Sequence, residues 1–271
     1  QLREGGDVKS PILRTVSKKS PVTVIGEEGN WKKVRTQDGF IGYLKSNHLK
    51  DERKEVVQRT FKEQEYPNIS KNYTINLAWH AVSSDTADSS VLEMIANSNG
   101  LTTISPTWFE VQNTEGTLST LASAQYVNYA HQSNIEVWAL VKDYDGGIDS
   151  YEETYELLSH TTSRENLINR LMSEALRTDL DGINVDFERV SEECAEHYMQ
   201  FLRELSLKCR QNGIILSVDN YVLRDNVAPG YLREQGEIVD YVIVMGFDEH
   251  HRTSPESGPV SSVDYVKTGL E

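Results

Sequence analysis

From residue 74 onward, short apolar stretches alternate with longer segments in which apolar residues recur every three or four positions. The short stretches predict strands at 74–79, 102–106, 135–141, 182–187, 214–218 and 241–247. The longer segments predict helices that include 91–98, 121–132, one from 164 and one over 192–210. Strictly alternating strands and helices with short connections imply a parallel sheet, and apolar strands predict burial on both faces of that sheet.

Residues 1–50 follow a different pattern. Clusters of β-branched and aromatic residues at 21–25, 31–35 and 40–44 surround turns that contain Gly29 and Gly39. Short strands separated by Asn, Asp and Gly turns predict a small all-β barrel. Residues 51–73 are polar and charged, which predicts a linker, so the chain divides into 1–50, 51–73 and 74–271.

The third predicted helix of the larger part has the clearest signals of its own. Thr162 and Glu165 have the spacing of a capping box, which predicts that Thr162 caps the helix that runs from Arg164. Its apolar face is formed by Leu167, Ile168, Leu171, Met172, Ala175 and Leu176. This face is expected to pack on the sheet.

Charge is strongly negative and unevenly distributed. The chain has 27 Lys and Arg against 42 Asp and Glu, a net charge of −15, which argues against nucleic acid as a partner because phosphate binding needs a basic face. Residues 1–50 carry ten basic and five acidic residues, which leaves a charge of −20 on the rest and suggests different partners for the two parts. No apolar run approaches the roughly 20 residues of a membrane-spanning helix.

Polar and aromatic residues collect where the predicted strands end. They include Trp79, His80, Thr107, Trp108, Asp143, Tyr144, Asn220, Tyr221 and Asp248. The first strand is not followed by G-x-G-x-x-G, and the chain has no P-loop, so nucleotide-binding interpretations lose their main support. Chemistry at the carboxyl ends of the strands is typical of a (β/α)8 barrel. The predicted fold class is therefore α/β, a TIM barrel preceded by a small all-β barrel.

Residues 181–188, D-G-I-N-V-D-F-E, carry the strongest chemical signal. Because residues two apart on a strand point the same way, Asn184, Asp186 and Glu188 share one face, while Val185 and Phe187 share the other. Carboxylates confined together repel when both are ionised, so one pKa rises and a proton stays available near neutral pH. This arrangement suits general acid catalysis at a glycosidic oxygen. The alternative is an ordinary strand end with solvated acids.

Two segments resemble family 18 glycoside hydrolases. Residues 181–188 resemble the D-x-x-D-x-D-x-E signature, with Asn184 at the second Asp, and residues 244–248, V-M-G-F-D, resemble the M-x-Y-D element of the sixth strand. The resemblance extends from about Thr74 to the end of the chain. Residues 1–50 resemble a bacterial SH3 domain through L-R-E-G at 2–5, W-x-x-V at 31–34 and G-F-I-G-Y at 39–43. Together they resemble the bacterial wall and spore-cortex branch of the family.

The resemblance implies a reaction in which the substrate's own N-acetyl oxygen is the nucleophile. Glu188 would protonate the leaving oxygen and then activate water. Asp186 would hold the acetamide N–H and balance the charge of the oxazolinium intermediate. Asp181 would brace the strand end or contribute to the electrostatics of the site, and Asp248 would bind the acetamide or sugar hydroxyls. The resemblance implies no metal and no cofactor, and His80, His250 and His251 lack a metal-ligand spacing such as H-E-x-x-H.

The chain departs from the family pattern at two positions. Asn184 removes one charge from the carboxylates but can still donate a hydrogen bond to Asp186. Phe247 lacks the hydroxyl of the usual Tyr, for which Tyr221 could substitute. Tyr221 and Trp138 are also candidate sugar contacts, although each aromatic ring near the strand ends can instead pack in the protein interior.

The predicted function is hydrolysis of β-linked N-acetylglucosaminyl bonds, with bacterial peptidoglycan as the favoured substrate. The alternatives are chitin, or a weak or inactive lectin-like sugar-binding protein. The SH3-like segment either binds the cell wall or acts as a spacer, and the expected location is extracellular, in the wall or the spore envelope.

The predicted barrel is also short. Residues 74–271 span 198 residues against the ~250 of a full barrel, so it is expected to be truncated after the sixth strand. Because the chain starts at Gln1 without a signal peptide, it is expected to be a piece of a longer protein.

Overall fold

The computed structural model describes residues 1–51, 53–54, 67–84, 87–222 and 229–270. The chain divides into two compact units, Gln1–Glu63 and Gln64–Glu271. Most of the predicted linker, residues 52 and 55–66, lies outside the described residues. In the described part, no helix combines the length and the apolar character needed to cross a membrane.

The first unit contains an antiparallel sheet, as the sequence predicts. Its strands are β1 (Leu2–Arg3), β2 (Ile12–Arg14), β3 (Val22–Glu28), β4 (Trp31–Thr36) and β5 (Ile41–Lys45), in the order β2-β1-β5-β4-β3. Leu2, Val34 and Leu44 form its small core. Glu28 pairs with Trp31, which leaves a two-residue turn in which Gly29 has a φ of 55°, a conformation that glycine adopts without strain.

The second unit alternates strands and helices. Its strands are β6 (Leu77–His80), β7 (Thr103–Pro106), β8 (Phe109–Val111), β9 (Leu118–Thr120), β10 (Glu136–Lys142), β11 (Gly182–Asp186), β12 (Ile215–Tyr221) and β13 (Tyr241–Met245). Its helices are α1 (Ala87–Ala96), α2 (Ala124–Gln132), α3 (Tyr151–Ser159), α4 (Thr161–Thr178), α5 (Ala195–Gln211), α6 (Pro229–Ile238) and α7 (Val263–Leu270).

Six of these strands form a curled parallel sheet in the order β6-β7-β10-β11-β12-β13. This is the arrangement of part of a TIM barrel, which confirms the predicted fold class. The short strands β8 and β9 form a hairpin beside the end of β10 and were not predicted, because three-residue strands give almost no periodic signal.

The predicted start of α4 is wrong. The helix begins at Thr161, and its N-cap residue His160 makes no side-chain capping bond. Helix α3 ends at Ser159, so a single residue connects the two helices and fixes where α4 starts. A capping arrangement does occur at α3, where the Ser150 hydroxyl accepts a hydrogen bond from the Glu153 N–H at 3.3 Å.

The two faces of the central strands differ in character. Residues such as Val141, Val185 and Val218 join the apolar core beneath the helices. The parallel register pairs Asn184 with Ser217 and Val185 with Val218. Paired residues on neighbouring strands point the same way, so the polar side chains of β11 and β12 share the opposite, inner face of the curled sheet.

Candidate active site

Asp186 lies at the carboxyl end of β11 and is buried, with 5% of its surface exposed. Its Oδ2 accepts a hydrogen bond from the Tyr144 hydroxyl at 2.5 Å. Its Oδ1 has no hydrogen-bond partner among the described residues. Burial raises the pKa of Asp186 from 3.8 to about 6; the Tyr144 hydrogen bond opposes this rise, and the nearby charges of Glu188 and Asp143 add to it. The site therefore contains a carboxyl group that titrates near neutrality and has one free acceptor.

Glu188 follows β11 on a loop whose backbone is hydrogen-bonded to Asp143. The Glu188 N–H donates to Asp143 Oδ1 at 2.8 Å, and the Arg189 N–H donates to Oδ2 at 3.1 Å. The Thr154 hydroxyl donates to the same Oδ2 at 2.9 Å. Asp143 is fully buried at the end of β10, and burial raises its pKa, although these hydrogen bonds oppose the rise. The backbone that carries Glu188 is thus fixed by a buried carboxylate on the neighbouring strand.

Tyr221, at the end of β12, lies beside Glu188. Burial of its hydroxyl raises the pKa of Tyr221, and a hydrogen bond to the Glu188 carboxylate adds to the rise. A cavity of about 240 Å³ lies next to Glu188 and is lined by residues that include Phe187, Tyr198, Tyr221 and Tyr231. Glu188 is therefore accessible from a cavity, which Asp219 of β12 also lines.

Asn184 is buried and fully hydrogen-bonded. Its Oδ1 accepts from Trp79 Nε1 at 3.2 Å and from the Ser105 hydroxyl at 3.1 Å. Its amide nitrogen donates to Asp219 Oδ1 at 3.0 Å. The expectation that Asn184 donates to Asp186 is wrong, because Asp219 on β12 accepts this bond instead.

Asp219 is buried, with 4% of its surface exposed. Burial raises its pKa from 3.8 to about 7; the charges of Asp186 and Glu188 contribute to this rise, and the hydrogen bonds from Asn184 and Trp79 oppose it. A second carboxyl group of the site therefore titrates near neutrality.

Phe247 and Asp248 follow β13 at the same end of the sheet. The Phe247 ring is 40% exposed and packs edge-on against Trp79, with 6.3 Å between the ring centroids. Since Trp79 also bonds to Asn184, Phe247 lies at the rim of the acidic cluster. Asp248 is exposed and has a left-handed backbone conformation with a φ of 61°.

The structure does not bring Trp138 to this cluster. Its side chain is 1% exposed, and its Nε1 donates to Glu136 at 3.0 Å. Trp138 pairs with Gly182 at the start of β11, four residues before Asp186, which is about 13 Å along a strand. It packs on Gly182 so closely that a Cβ there would lie 2.6 Å from the ring.

Asp181 also lies at the start of β11, away from the other acidic residues. Its Oδ2 accepts hydrogen bonds from the Val137 N–H and from the His131 ring, both at 2.8 Å. These bonds join β11 to β10 and to helix α2. Asp181 therefore contacts the scaffold and not the residues at the carboxyl end of the strand.

The histidines near the strand ends do not converge. His80 Nδ1 pairs with the Tyr126 hydroxyl at 2.6 Å, and His250 Nδ1 pairs with the Pro259 carbonyl at 3.0 Å. Among the residues that the structure describes, no group of three or more His, Cys, Asp or Glu side chains is arranged to hold a metal ion.

Sequence reasoning missed the roles of Asp143, Ser105 and Asp219. The signal for Asp219 was available, because Ser217 and Asp219 flank the apolar Val218 and so share one face of the strand. The predicted strand 214–218 ended three residues too early, since β12 continues to Tyr221. No comparable signal marks Asp143, since the Glu188 and Arg189 N–H groups that it binds are distant in sequence.

Fold and site together define a barrel enzyme with acidic residues at the carboxyl ends of its strands. The family model for glycosyl hydrolases family 18 matches residues 39–268, and the bacterial SH3 domain model matches residues 1–50. The chain belongs to family 18 of the glycosyl hydrolases, which confirms the resemblance found in the sequence.

Individual relatives match only in part. A cortical fragment-lytic enzyme of Bacillus anthracis is 28% identical over 160 residues, which cover 55% of this chain and 37% of the relative. The spore cortex-lytic enzyme SleL of Bacillus cereus superposes with a TM-score of 0.61 at 24% identity, over 72% of this chain and 46% of that structure. A chitinase from Chromobacterium violaceum superposes with a TM-score of 0.61 at 20% identity, over 73% of this chain and 63% of that structure. The chain thus spans less than two thirds of the curated relative and of both solved structures.

Proposed function

We propose that this chain is a glycoside hydrolase that cleaves β-linked N-acetylglucosaminyl bonds with the substrate's acetamide as nucleophile. The observation that carries this proposal is the buried Oδ1 of Asp186, which has no hydrogen-bond partner among the described residues and lies close to Glu188. An unpaired buried acceptor is costly, and an acetamide N–H bound there would supply the missing hydrogen bond.

The proposed reaction has two steps. Glu188 gives its proton to the leaving oxygen while the acetamide oxygen attacks C1, so that the C1–O bond breaks and a cationic oxazolinium forms. Asp186 accepts the acetamide N–H and balances this charge, and Tyr144 holds its other oxygen. Glu188 then takes a proton from water, which attacks C1 and opens the ring with overall retention of configuration.

Peptidoglycan is the proposed polymer. Relatives named for spore-cortex lysis and an N-terminal bacterial SH3 segment with a charge of +5 support an anionic bacterial wall as the target. The location that follows is outside the cell, at the wall or in the spore envelope. Chitin is the second candidate substrate, because the sheet also superposes on a chitinase.

A lectin-like protein on the same fold is the alternative from another class. Phe247 favours it, because phenylalanine lacks the hydroxyl of the family's tyrosine. The fixed and accessible position of Glu188 disfavours it, since a sugar-binding protein has no use for a positioned acid. Tyr221 supplies a hydroxyl next to Glu188 and takes over that contact in the proposed enzyme.

The test compares Glu188→Gln with Glu193→Gln, a matched change at an exposed carboxylate nearby. Both variants and the parent are incubated with purified peptidoglycan and with chitin, and the new reducing ends are identified. We expect Glu188→Gln to lower turnover by about 10²- to 10⁴-fold while N-acetylglucosamine oligomers still bind, and Glu193→Gln to match the parent. Residual activity of Glu188→Gln within about tenfold of the parent would exclude Glu188 as the acid. Oligomer binding without hydrolysis by the parent would favour the lectin-like alternative.

A further inference from the structure

The acidic cluster contains a carboxylate that the family signature does not include. The signature has an aspartate where this chain has Asn184, so β11 provides one carboxylate fewer than expected. Asn184 donates its amide hydrogen to Asp219 at 3.0 Å, and Asp219 is buried on the neighbouring strand β12. Asp219 thus supplies, from the neighbouring strand, a carboxylate in place of the missing one. It is hydrogen-bonded to Asn184, which stands at the position of the signature aspartate.

The register explains why Asp219 reaches the site. Asn184 pairs with Ser217 and Val185 with Val218, so Asp186 and Asp219 come next, level with each other on strands about 4.8 Å apart. Both side chains lie on the inner face of the sheet. The charge of Glu188, after β11, also acts on Asp219, and the charge of Asp219 acts on Tyr198, on α5.

We propose that Asp219 is a positioning residue of this site, which supplies from β12 the carboxylate that Asn184 lacks and places a negative charge behind Asp186 as the cationic intermediate forms. The inference rests on the proposed function. Asp219 also lines the cavity beside Glu188, and its proposed action runs through Asn184, to which it is bonded, and through Asp186.

Two physical features make this role possible. Asn184 cannot turn away, because Trp79 and Ser105 both donate to its oxygen and fix its amide toward Asp219. Burial raises the pKa of Asp219 to about 7, and the charge of Asp186 adds to this rise, so the charge of Asp219 can respond to a cation that forms nearby. A carboxyl group that is always ionised would not respond in this way.

The experiment compares Asp219→Asn with the double variant Asn184→Asp/Asp219→Asn, which reverses the pair. The donors Trp79 and Ser105 suit a carboxylate at position 184 equally well, so the reversed pair keeps its hydrogen bonds. Turnover is measured from pH 5 to 9, and the Asp219 carboxyl carbon is titrated by ¹³C NMR in the parent and in Asp186→Asn, with Asp219→Asn used for assignment. Thermal unfolding checks that each variant is folded.

We expect Asp219→Asn to lower kcat about tenfold, and Asp186→Asn to lower the pKa of Asp219 by about one unit, because the like charge of Asp186 is lost. The reversed pair should recover kcat. An Asp219 titration that is the same in the parent and in Asp186→Asn would overturn the proposal, and so would a reversed pair that keeps the kcat of Asp219→Asn. Should the parent hydrolyse no polymer, the proposed function fails, while the titration still decides whether Asp219 and Asp186 interact.

Discussion

Two residues of the site have buried carboxyl groups whose ionisation destabilises the folded protein. Asp186 and Asp219 are both buried at the inner face of the sheet, where burial raises the pKa of each well above 3.8. Ionising a carboxyl group that burial disfavours costs free energy, which the folded protein must provide from its packing elsewhere. A proton available near neutral pH and a more stable fold are thus opposing demands at the same residue.

Asp186→Asn should therefore change how stability depends on pH. An unfolded chain releases the Asp186 proton near pH 3.8, but the folded chain keeps it to about pH 6, so the free energy of unfolding falls as pH rises between these values. Asparagine has no proton to lose. We expect the variant to gain about 3 kcal/mol over the parent between pH 4 and pH 8, as measured by urea unfolding.

The Asp186 variant needs two comparisons. Glu193→Gln, at an exposed carboxylate, should track the parent at every pH. Parent and Asp186→Asn curves that run parallel from pH 4 to pH 8 would contradict the raised pKa. Activity should be lost in Asp186→Asn even at the pH where it is more stable than the parent.

Strand β11 shows how one element serves the scaffold and the site. At its start, Asp181 is bonded to β10 and α2, and Gly182 lies against the Trp138 ring. At its end, Asp186 and the loop with Glu188 lie between partners from β10 and β12. Because the start of the strand is packed so closely, the register at its end is fixed as well.

Gly182→Ala tests this packing. The new Cβ would lie 2.6 Å from the Trp138 ring, so the ring or the strand must shift, and we expect a loss of roughly 1–3 kcal/mol in the free energy of unfolding. Gly236→Ala, in helix α6 with open space around the new Cβ, is the matched control and should gain up to ~1 kcal/mol. Equal stability of the two variants by urea unfolding would show that the contact with Trp138 imposes no constraint.

At the scale of the whole molecule, the charges divide between the two parts of the chain. Residues 1–50 carry +5 and the remainder carries −20. An anionic wall would attract the first part and repel the second. The bacterial SH3 segment is therefore the part suited to hold the protein on its proposed substrate.

Adsorption to purified walls that retain their anionic polymers should depend on this division. We expect Lys18→Glu/Arg35→Glu, at exposed positions in the first unit, to weaken adsorption severalfold, and added salt to weaken adsorption of the parent. Arg170→Glu/Lys208→Glu changes the net charge equally in the second unit and should have a much smaller effect. Equal losses in both double variants would show that only the net charge matters.

Much of the architecture followed from the sequence, because strand and helix periodicities are local. The order of the six parallel strands, the all-β first unit and the alternation of Asn184 and Asp186 with Val185 were all predicted. So was the family, since residues 181–188 carry its signature as a continuous segment. The predicted ends of the elements were less accurate. Because the fifth strand was predicted to end at residue 218, Asp219 was not assigned to it.

The partners of each side chain were decided only by the tertiary structure. Alternation says which face a residue lies on, but the register between strands decides that Asn184 meets Asp219 and not Asp186. In the same way, only the folded sheet brings Asp143 under the Glu188 backbone and buries Trp138 against Gly182. The local sequence pattern determines on which face of a strand or helix a side chain lies. Its contacts and its pKa depend on residues that are distant in sequence and come close only after folding.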